Sequence, residues 1–352
     1  MTGAMSENPY QSLDALAVMP LWRHHGDLFT PEPQASAVPY LWRYAALRPY
    51  MLHFTNRLSL EEAARRVLML VNPGLSDPPA TVNSLFAGIQ VIMPGEAARA
   101  HRHAANAFRF IIEGESAYTT VNGERIHMRP GDLLLTPGWH WHDHFHEGNG
   151  PVMWLDGLDY PLTNALEAGF FELFGDRVQK PYVADDLSSR KFIHGRLNPA
   201  WENADSRFSP VGNYPWRETE RAFVAMGDDV EGSDSEGIVL EYTNPWNGGP
   251  VLPTTDCKIT RLRPGFRGRL RRTTASTIMH VVRGEGHVEF DDRRLEFGPH
   301  DVIAVPGWRA HRLANTSTDS DAILFSYSNA PALRALGLLR VDHPESANDP
   351  PG

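Results

Sequence analysis

The chain repeats itself, and this repeat limits its fold more than any other feature of the sequence. The first half contains FRFIIEGESAYTTVNGERIHMRPGDLLLTPGWHWH, and the second half contains TIMHVVRGEGHVEFDDRRLEFGPHDVIAVPGWRAH. Gly114 matches Gly284 at an offset of 170, and His142 matches His311 at an offset of 169, so these pairs need a single gap. A duplication of this length predicts that one structural unit occurs twice.

Both copies show the pattern of an antiparallel barrel. Short β-rich runs alternate with Gly, Pro and Asn turns, and Asn122-Gly123 between two runs is a strong hairpin signal. In the first copy the runs are 86–93, 108–113, 117–121, 125–128, 132–136 and 152–156. Many short strands at this spacing favour a barrel or a jelly roll.

The composition excludes several classes of function. The net charge is −10, so there is no basic excess to attract nucleic acid or an anionic membrane surface. Cys257 is the only cysteine, which excludes an intrachain disulfide and fits a reducing compartment. The N-terminus is polar and has no apolar signal core, and no run approaches the length of a membrane span. We therefore expect a soluble cytoplasmic protein.

Helical patterns lie outside the two copies. Helical spacing predicts helices over Gln11–Met19 and Ser59–Leu70, and Ser59 with Glu62 forms a possible capping box for the second. A Pro-rich extended stretch, 30–39, lies between them, and a further helix is predicted around 218–226. The predicted organisation is therefore an N-terminal helical and extended arm (1–75), a metal-binding barrel (76–160), a linker with a helix (161–236), a second barrel (237–330) and a C-terminal tail (331–352).

Three histidines of the first copy have the spacing of a metal site. His101 and His103 are two residues apart on a predicted strand, so both side chains point to the same face. His142 follows Gly131-x5-Pro137, and a later strand can bring it beside the pair. Three neutral imidazoles on one side of a metal leave positions open for other ligands. The alternative interpretation is that these are ordinary histidines, and the string HWHDHFH (140–146) leaves open which histidine would be the third ligand.

These motifs resemble a known family. Gly-x5-His-x-His followed by Gly-x5-Pro-x4-His resembles the two cupin motifs, without the usual glutamate near Ala107 or Phe108. The longer strings ARRVLMLVNPGL, AGIQVIMPGE, AHRHAANAFRFIIEG, GDLLLTPGWHWHDH, WLDGLDYPL and YTNPWNGGPVLPT are similar to the gentisate 1,2-dioxygenase family, which includes salicylate and 1-hydroxy-2-naphthoate dioxygenases. The resemblance spans roughly residues 20–340. It implies an all-β chain in which the double-stranded β-helix of the cupins occurs twice.

The resemblance also implies a reaction. The expected enzyme holds one Fe(II) per chain through His101, His103 and His142 and opens an aromatic ring with O2. A small aromatic ortho-hydroxy acid would chelate the iron, and the ring would open between the carbons that bear the carboxylate and the hydroxyl. Gentisate, giving maleylpyruvate, is the predicted substrate, with salicylate or 1-hydroxy-2-naphthoate as alternatives. The family further suggests a homotetramer.

Arg109, His144 and Asp156 are the predicted catalytic residues. Arg109 lies six residues beyond His103 on the same predicted strand, so it shares the inward face, and a buried Arg needs an anionic partner. That partner is either the substrate carboxylate or a barrel carboxylate such as Asp156. His144 shares the face of His142 and either bonds the substrate and relays a proton or only supports its neighbour.

Three more residues are predicted to contact the substrate because they match family positions. Gln90 is expected in the pocket, Phe86 is expected to wall the ring, and Arg65 (or Arg66) is expected to reach in from the N-terminal segment. Gln90 could also be an ordinary barrel polar residue, and the arginines could be solvated charges on a helix.

The second copy lacks the metal motif. His101 aligns with Arg271 and His103 with Thr273, and His311 alone is retained. We therefore predict a metal-free second barrel. Two competing functions stay open from the sequence: another cupin metalloenzyme, such as an isomerase or a diketone dioxygenase, and a ligand-binding cupin without catalysis.

Overall fold

The computed structural model describes Tyr10, Leu13 and residues 15–63, 65–192, 197–202 and 207–344. The chain divides into two compact units, residues 1–34 and residues 35–352. The first unit contains helix α1, Leu21–Leu28. The helix predicted over Gln11–Met19 lies partly outside the described residues, and its described end, 15–19, is turn and irregular chain.

The second unit consists mainly of strands. Its helices are α2 Tyr44–Thr55, α3 Leu60–Ala63, α4 Tyr160–Ala165, α5 Leu187–Phe192, α6 Trp216–Met226 and α7 Ala330–Ala335. The strands up to the linker are β1 Tyr40–Trp42, β2 Val67–Met69, β3 Phe86–Ile92, β4 Ala97–His103, β5 Ala107–Glu113, β6 Ala117–Val121, β7 Glu124–His127, β8 Leu133–Thr136, β9 His142–His146, β10 Val152–Leu158, β11 Phe171–Leu173 and β12 Asn213–Tyr214. The later strands are β13 Ile238–Tyr242, β14 Asp256–Leu262, β15 Arg272–Thr273, β16 Thr277–Arg283, β17 Gly286–Phe290, β18 Arg294–Phe297, β19 Val302–Val305, β20 His311–Asn315, β21 Ala322–Ser328 and β22 Val341–Asp342.

The two barrels have the same strand order. The first combines a six-stranded sheet, β12-β8-β5-β10-β3-β2, with a five-stranded sheet, β11-β4-β9-β6-β7. The second repeats the inner order as β19-β16-β21-β14 and closes with the three-stranded sheet β18-β17-β20. The predicted duplication of an antiparallel barrel is confirmed. The predicted hairpin is confirmed too, since Val121 pairs with Glu124 and both turn residues have positive φ.

Each six-stranded sheet is completed by a strand from outside its own repeat. Strand β12 comes from the linker and pairs with β8 of the first barrel. Strand β1 comes from the N-terminal region and pairs with β19 of the second barrel, so that Tyr40 lies opposite Ala304. The arm that the sequence analysis treated as a separate region therefore contributes a strand to the more distant barrel.

The barrels pack back to back through their six-stranded sheets. On β5, Phe108 and Phe110 point outward, and the Phe110 ring stacks on Phe325 with ring centres 4.3 Å apart. Phe108 meets Tyr327 at 4.7 Å. Because side chains alternate along a strand, the residue between the two phenylalanines, Arg109, points into the first barrel.

The predicted helix over Ser59–Leu70 is only partly right. Its capping box is confirmed, because the Ser59 backbone N–H donates to the Glu62 carboxylate and the Glu62 N–H donates to Ser59 Oγ. The helix ends at Ala63, and Val67–Met69 form an edge strand on β3 instead. Pairing with a fully buried strand outweighs the helical spacing of this short run. Helix α2 was not predicted, whereas the helix around 218–226 is confirmed as α6.

Candidate metal centre

The sheet opposite the barrel interface brings the three histidines together. Strands β4 and β9 are antiparallel neighbours, and their register places His101 directly opposite His142. His103 lies on the same face two residues along. The candidate ligand nitrogens of the three residues all lie within 4.8 Å of one another. In the part of the chain that the structure describes, this is the only such group of three or more potential ligands.

Backbone carbonyls hold each imidazole in one tautomer. Nδ1 donates to a carbonyl oxygen two residues away in every case: His101 to Arg99 at 3.1 Å, His103 to Ala105 at 2.8 Å and His142 to His140 at 2.9 Å. The neutral ring then carries its lone pair on Nε2. His142 Nε2 is buried without a hydrogen-bond partner, as expected of a metal-facing donor.

Burial keeps these imidazoles neutral. Desolvation lowers the pKa of His101 to about 2 and that of His103 to about 4, with smaller effects from nearby cations. The pKa of His142 is also held well below its usual range, mainly by burial. Neutral imidazole nitrogens are the form that binds iron or zinc, so the donor set fits a divalent transition metal.

The structure separates His142 from its three neighbouring histidines. His140 Nδ1 donates to the carbonyl of Gly138, and its ring lies outside the cluster. His144 Nδ1 is hydrogen-bonded to Thr119 Oγ1 at 2.9 Å. Both nitrogens of His146 face backbone carbonyls, those of Ser116 and Gly150. Only His142 therefore joins His101 and His103.

Arg65, rather than Arg66, reaches the histidines. Its Nη2 lies over the His101 ring, 2.5 Å from Nδ1 and 2.7 Å from Nε2, so the guanidinium has to move aside before Nε2 can bind a metal. Burial lowers the pKa of Arg65 to about 10 but leaves it a cation at neutral pH. Arg66 instead forms an ion pair with Glu96. The sequence could not choose between the two because the choice depends on where helix α3 ends.

The wall facing the histidines contains a buried ion pair. Register places Arg109 on β5 directly opposite Asp156 on β10, and their Nε and Oδ1 atoms lie 3.4 Å apart. Arg109 Nη1 also donates to Thr136 Oγ1 at 3.0 Å, and Trp154 Nε1 donates to Asp156 at 2.9 Å. Burial raises the pKa of Asp156, and the Arg109 cation offsets part of that rise. Asp156, the barrel carboxylate that the sequence offered as a partner, is therefore paired with Arg109 and holds its guanidinium in place.

His144 and Gln90 each leave one polar atom without a partner. His144 is fully buried, and its Nε2 has no hydrogen bond. Burial, followed by the charges of Arg109 and Arg65, holds the pKa of His144 well below its usual range. Gln90 on β3 is also buried, and its Nε2 is equally unpaired. A buried polar atom without a hydrogen-bond partner marks a position where a ligand can supply the missing hydrogen bond.

Phe86 and Gly88 pack against each other on β3, the strand that also carries Gln90. The Phe86 ring lies over Gly88, so a Cβ at Gly88 would stand 2.7 Å from that ring and 2.6 Å from Val67. The sequence analysis missed Gly88. A glycine in the interior of a buried strand is the signal that could have identified it.

An arginine-rich opening lies beside His101. The opening, defined here as Leu60, Arg65, Ala97, Arg99, Phe171, Leu173 and Arg177, encloses about 490 Å³. The Phe171 ring lies 5.5 Å from His101, and its strand β11 pairs with β4. Three arginines and no carboxylate line the opening, so it favours the entry of a small anion with an apolar body.

Comparisons with known proteins identify the family. Both barrels match the family model described as the cupin domain, at residues 88–157 and 258–327. A gentisate 1,2-dioxygenase of Aquipseudomonas alcaligenes is 34% identical over 331 residues, which are 94% of this chain and 94% of that protein. The chain belongs to the gentisate 1,2-dioxygenase family. The resemblance predicted from the motifs is confirmed.

Other relatives show that the gentisate 1,2-dioxygenase family is broad. A 1-hydroxy-2-naphthoate 1,2-dioxygenase of Nocardioides sp. is 38% identical over 318 residues, 89% of this chain and 81% of that protein. The crystal structure of salicylate 1,2-dioxygenase from Pseudoaminobacter salicylatoxidans, an adduct with gentisate, superimposes with a TM-score of 0.89 at 32% identity over 98% of both chains. The protein is accordingly a ring-cleaving dioxygenase of this family. None of the helices in the described ranges is long and apolar enough to cross a bilayer.

Proposed function

We propose that the first barrel binds one Fe(II) through Nε2 of His101, His103 and His142 and that the enzyme cleaves gentisate to maleylpyruvate. The observation that carries the metal assignment is the convergence of three neutral imidazoles whose Nδ1 atoms are all engaged by the backbone. An iron held by these three imidazoles would supply a Lewis acid and a redox centre for the reaction of the aromatic acid with O2.

Arg109 is proposed to hold the substrate carboxylate. Its ion pair with Asp156 and its bond to Thr136 fix the guanidinium, so little side-chain entropy is lost when the carboxylate arrives. Arg65 adds a second cation beside His101. The buried Arg109 and the partly buried Arg65, against one buried Asp156, leave this part of the cavity with excess positive charge, which favours an anionic substrate.

His144 is proposed to act on the ortho-hydroxyl. Its unpaired Nε2 is held by the bond between Nδ1 and Thr119, and the ring is neutral at physiological pH. A neutral imidazole in this place takes up the hydroxyl proton, or bonds the oxygen, as the ring is opened. Gln90 offers its unpaired amide to the same substrate.

The choice of gentisate rests on chemistry and on the relatives. A second hydroxyl para to the ortho-hydroxyl makes the ring electron-rich, which eases its oxidation by O2. One relative, from Comamonas sp., is named 5-aminosalicylate 1,2-dioxygenase and is 38% identical over 91% of this chain, and an amino group at that position has the same electronic effect. Phe86 and Gly88 offer only apolar surface, so we expect weak discrimination against acids that lack the second hydroxyl.

The test is a comparison of kcat/KM for gentisate, salicylate and 1-hydroxy-2-naphthoate on one iron-loaded preparation. We expect turnover of gentisate with measurable activity on at least one of the other two. If gentisate is inert while another acid is cleaved, the substrate assignment is wrong and ring cleavage stands. If all three are inert and leave the iron spectrum unchanged without oxygen, the proposed site is wrong.

We further propose that the enzyme is a cytoplasmic homotetramer. The single cysteine supports a reducing compartment, and the family supports the assembly. Light scattering coupled to size-exclusion chromatography measures the assembly directly, and a monomer in solution would overturn that part of the proposal.

A further inference from the structure

The second barrel also contains an internal cavity, of about 140 Å³. It occupies the place that the metal cavity occupies in the first barrel. Its walls include Arg271, Thr273 and His311, which correspond to the three histidines of the metal centre. The second barrel has therefore kept an interior space after losing two of the three ligands.

The far wall of this cavity carries an inward ammonium group. Lys258 on β14 occupies the position of Gly88, and its Nζ lies 3.3 Å from Asp256 Oδ2. The other oxygen of Asp256 accepts hydrogen bonds from the backbone N–H and the hydroxyl of Ser328. An ammonium has three donors, so Lys258 can bind a further acceptor without giving up Asp256.

Two polar groups on the near wall are placed to meet a ligand. His311 is 5% exposed, and its Nδ1 donates to the carbonyl of Arg309 at 3.0 Å, which leaves Nε2 as an acceptor on the cavity side. Arg271 forms an ion pair with Glu236, yet its Nε is buried without a hydrogen bond. A buried donor left open beside a cavity, such as Arg271 Nε, is costly unless a ligand or water pairs with it.

We propose that this cavity is a second, metal-independent binding site for a small hydroxycarboxylic acid. The carboxylate lies between Lys258 and Arg271, and the hydroxyl of the acid donates to His311 Nε2. The space is smaller than a typical drug-sized pocket, which restricts the ligand to a few carbon atoms or a single ring. Apolar contacts come from Met279 and Leu313, which replace Arg109 and His144 of the first barrel. This proposal does not depend on the substrate of the first barrel.

The test is calorimetric titration of the iron-loaded protein with lactate, malate and 3-hydroxybenzoate, with propionate and lactamide as analogues that lack the hydroxyl or the carboxylate. We expect one binding event per chain for at least one of the three acids, with a Kd of about 1 mM or tighter. Propionate and lactamide should bind at least tenfold more weakly than lactate. The His142→Ala protein should still bind the acid, because the proposed site in the second barrel does not use the metal.

Variants of the second barrel test whether the acid binds in its cavity. Lys258→Met and His311→Leu should each weaken binding at least tenfold, while Lys180→Met, the same change at an exposed position, should leave it unchanged. Thr260→Val replaces a second cavity-lining polar group and serves if Lys258→Met does not fold. Absence of saturable binding by every acid would mean that the cavity holds only water, and the proposal would be wrong. Loss of binding in His142→Ala, with normal binding in Lys258→Met, would place the acid at the first barrel and would also overturn it.

Discussion

The two barrels of this chain share their strand order but differ at the positions that face their cavities. His101 and His103 of the first barrel correspond to Arg271 and Thr273 of the second, and Arg109 corresponds to Met279. The segments that carry these residues occupy equivalent places in the two barrels, since β4 and β15 each precede a strand of the inner sheet. Strand order therefore sets where a site lies in each barrel, while a few inward side chains decide its chemistry.

The histidine that both barrels keep shows how little of a metal site the fold supplies. His142 and His311 each donate Nδ1 to the carbonyl two residues earlier, His140 in one case and Arg309 in the other. Both therefore present Nε2 to the interior. A single presented imidazole does not hold a metal, and the difference between the barrels lies in the other two ligands.

The largest expected difference between the barrels is in metal content. His142→Ala should abolish both bound iron and ring cleavage, because two remaining imidazoles hold the metal poorly. His311→Ala should retain one iron per chain. Elemental analysis of both proteins, purified in parallel, measures this, with His140→Ala as a control that should also keep its iron. A second metal in the wild-type chain would contradict the asymmetry.

Arg109→Met places the residue of the second barrel in the first and should impair the substrate site. Losing a charge-assisted hydrogen bond costs about 1.5–3 kcal/mol, so kcat/KM should fall about ten- to a hundredfold while iron is retained. Met279→Leu is the matched change in the second barrel and should not alter kinetics.

Arg109→Met also leaves Asp156 buried without its partner, so the variant must be shown to be folded and iron-loaded before it is compared. The double variant Arg109→Met/Asp156→Asn removes the uncompensated charge. Normal kinetics in both proteins would mean that the arginine serves only the ion pair.

Gly88→Ala should narrow the interior of the first barrel. The equivalent position of the second barrel is occupied by Lys258. The added methyl group would meet Phe86 and Val67 and push the ring of Phe86 towards the substrate. We expect a larger loss of kcat/KM for 1-hydroxy-2-naphthoate than for gentisate, since the naphthoate has the second ring. Equal losses for both acids would show that the glycine does not limit substrate size.

The smallest expected effect concerns acid stability. His280 occupies in the second barrel the position of Phe110 in the first, and the two rings meet across the interface at 5.5 Å. Burial, with a smaller contribution from His300, lowers the pKa of His280 from 6.5 to about 3. Below pH 6.5 His280 binds a proton in the unfolded chain but stays neutral in the folded chain. The free energy of unfolding therefore falls as the pH drops towards 3.

His280→Phe should therefore reduce the slope of the unfolding free energy against pH between 6.5 and 3. Denaturant unfolding at several pH values measures the slope, and His53→Phe, at an exposed position, is the control. An unchanged slope in His280→Phe would show that the proton is taken up equally in both states.

The sequence was sufficient where a pattern is local. The His-x-His pair, the alternation that points Arg109 inward and the hairpin at Asn122 all follow from neighbours along the chain. It was insufficient where pairing between distant segments determines the secondary structure or brings two side chains together. The short strand β2 exists because β3 pairs with it, and the contact between Arg109 and Asp156 follows from the register of β5 and β10. The sequence offered Asp156 only as one of two possible partners of Arg109, and it indicated no strand at Val67–Met69.

The edge strand β1 ties the start of the chain to the barrel that is synthesised last. Tyr40–Trp42 leave the ribosome early, but their partner strand, Val302–Val305, is made near the end of the chain. Beside β1, Arg43 forms an ion pair with Asp301, 258 positions away. The first barrel has its last strand once Tyr214 has been made, whereas the N-terminal segment stays unpaired until the second barrel arrives. A truncated second barrel that begins at residue 237 would thus expose the edge of β19, and such an edge invites association between chains.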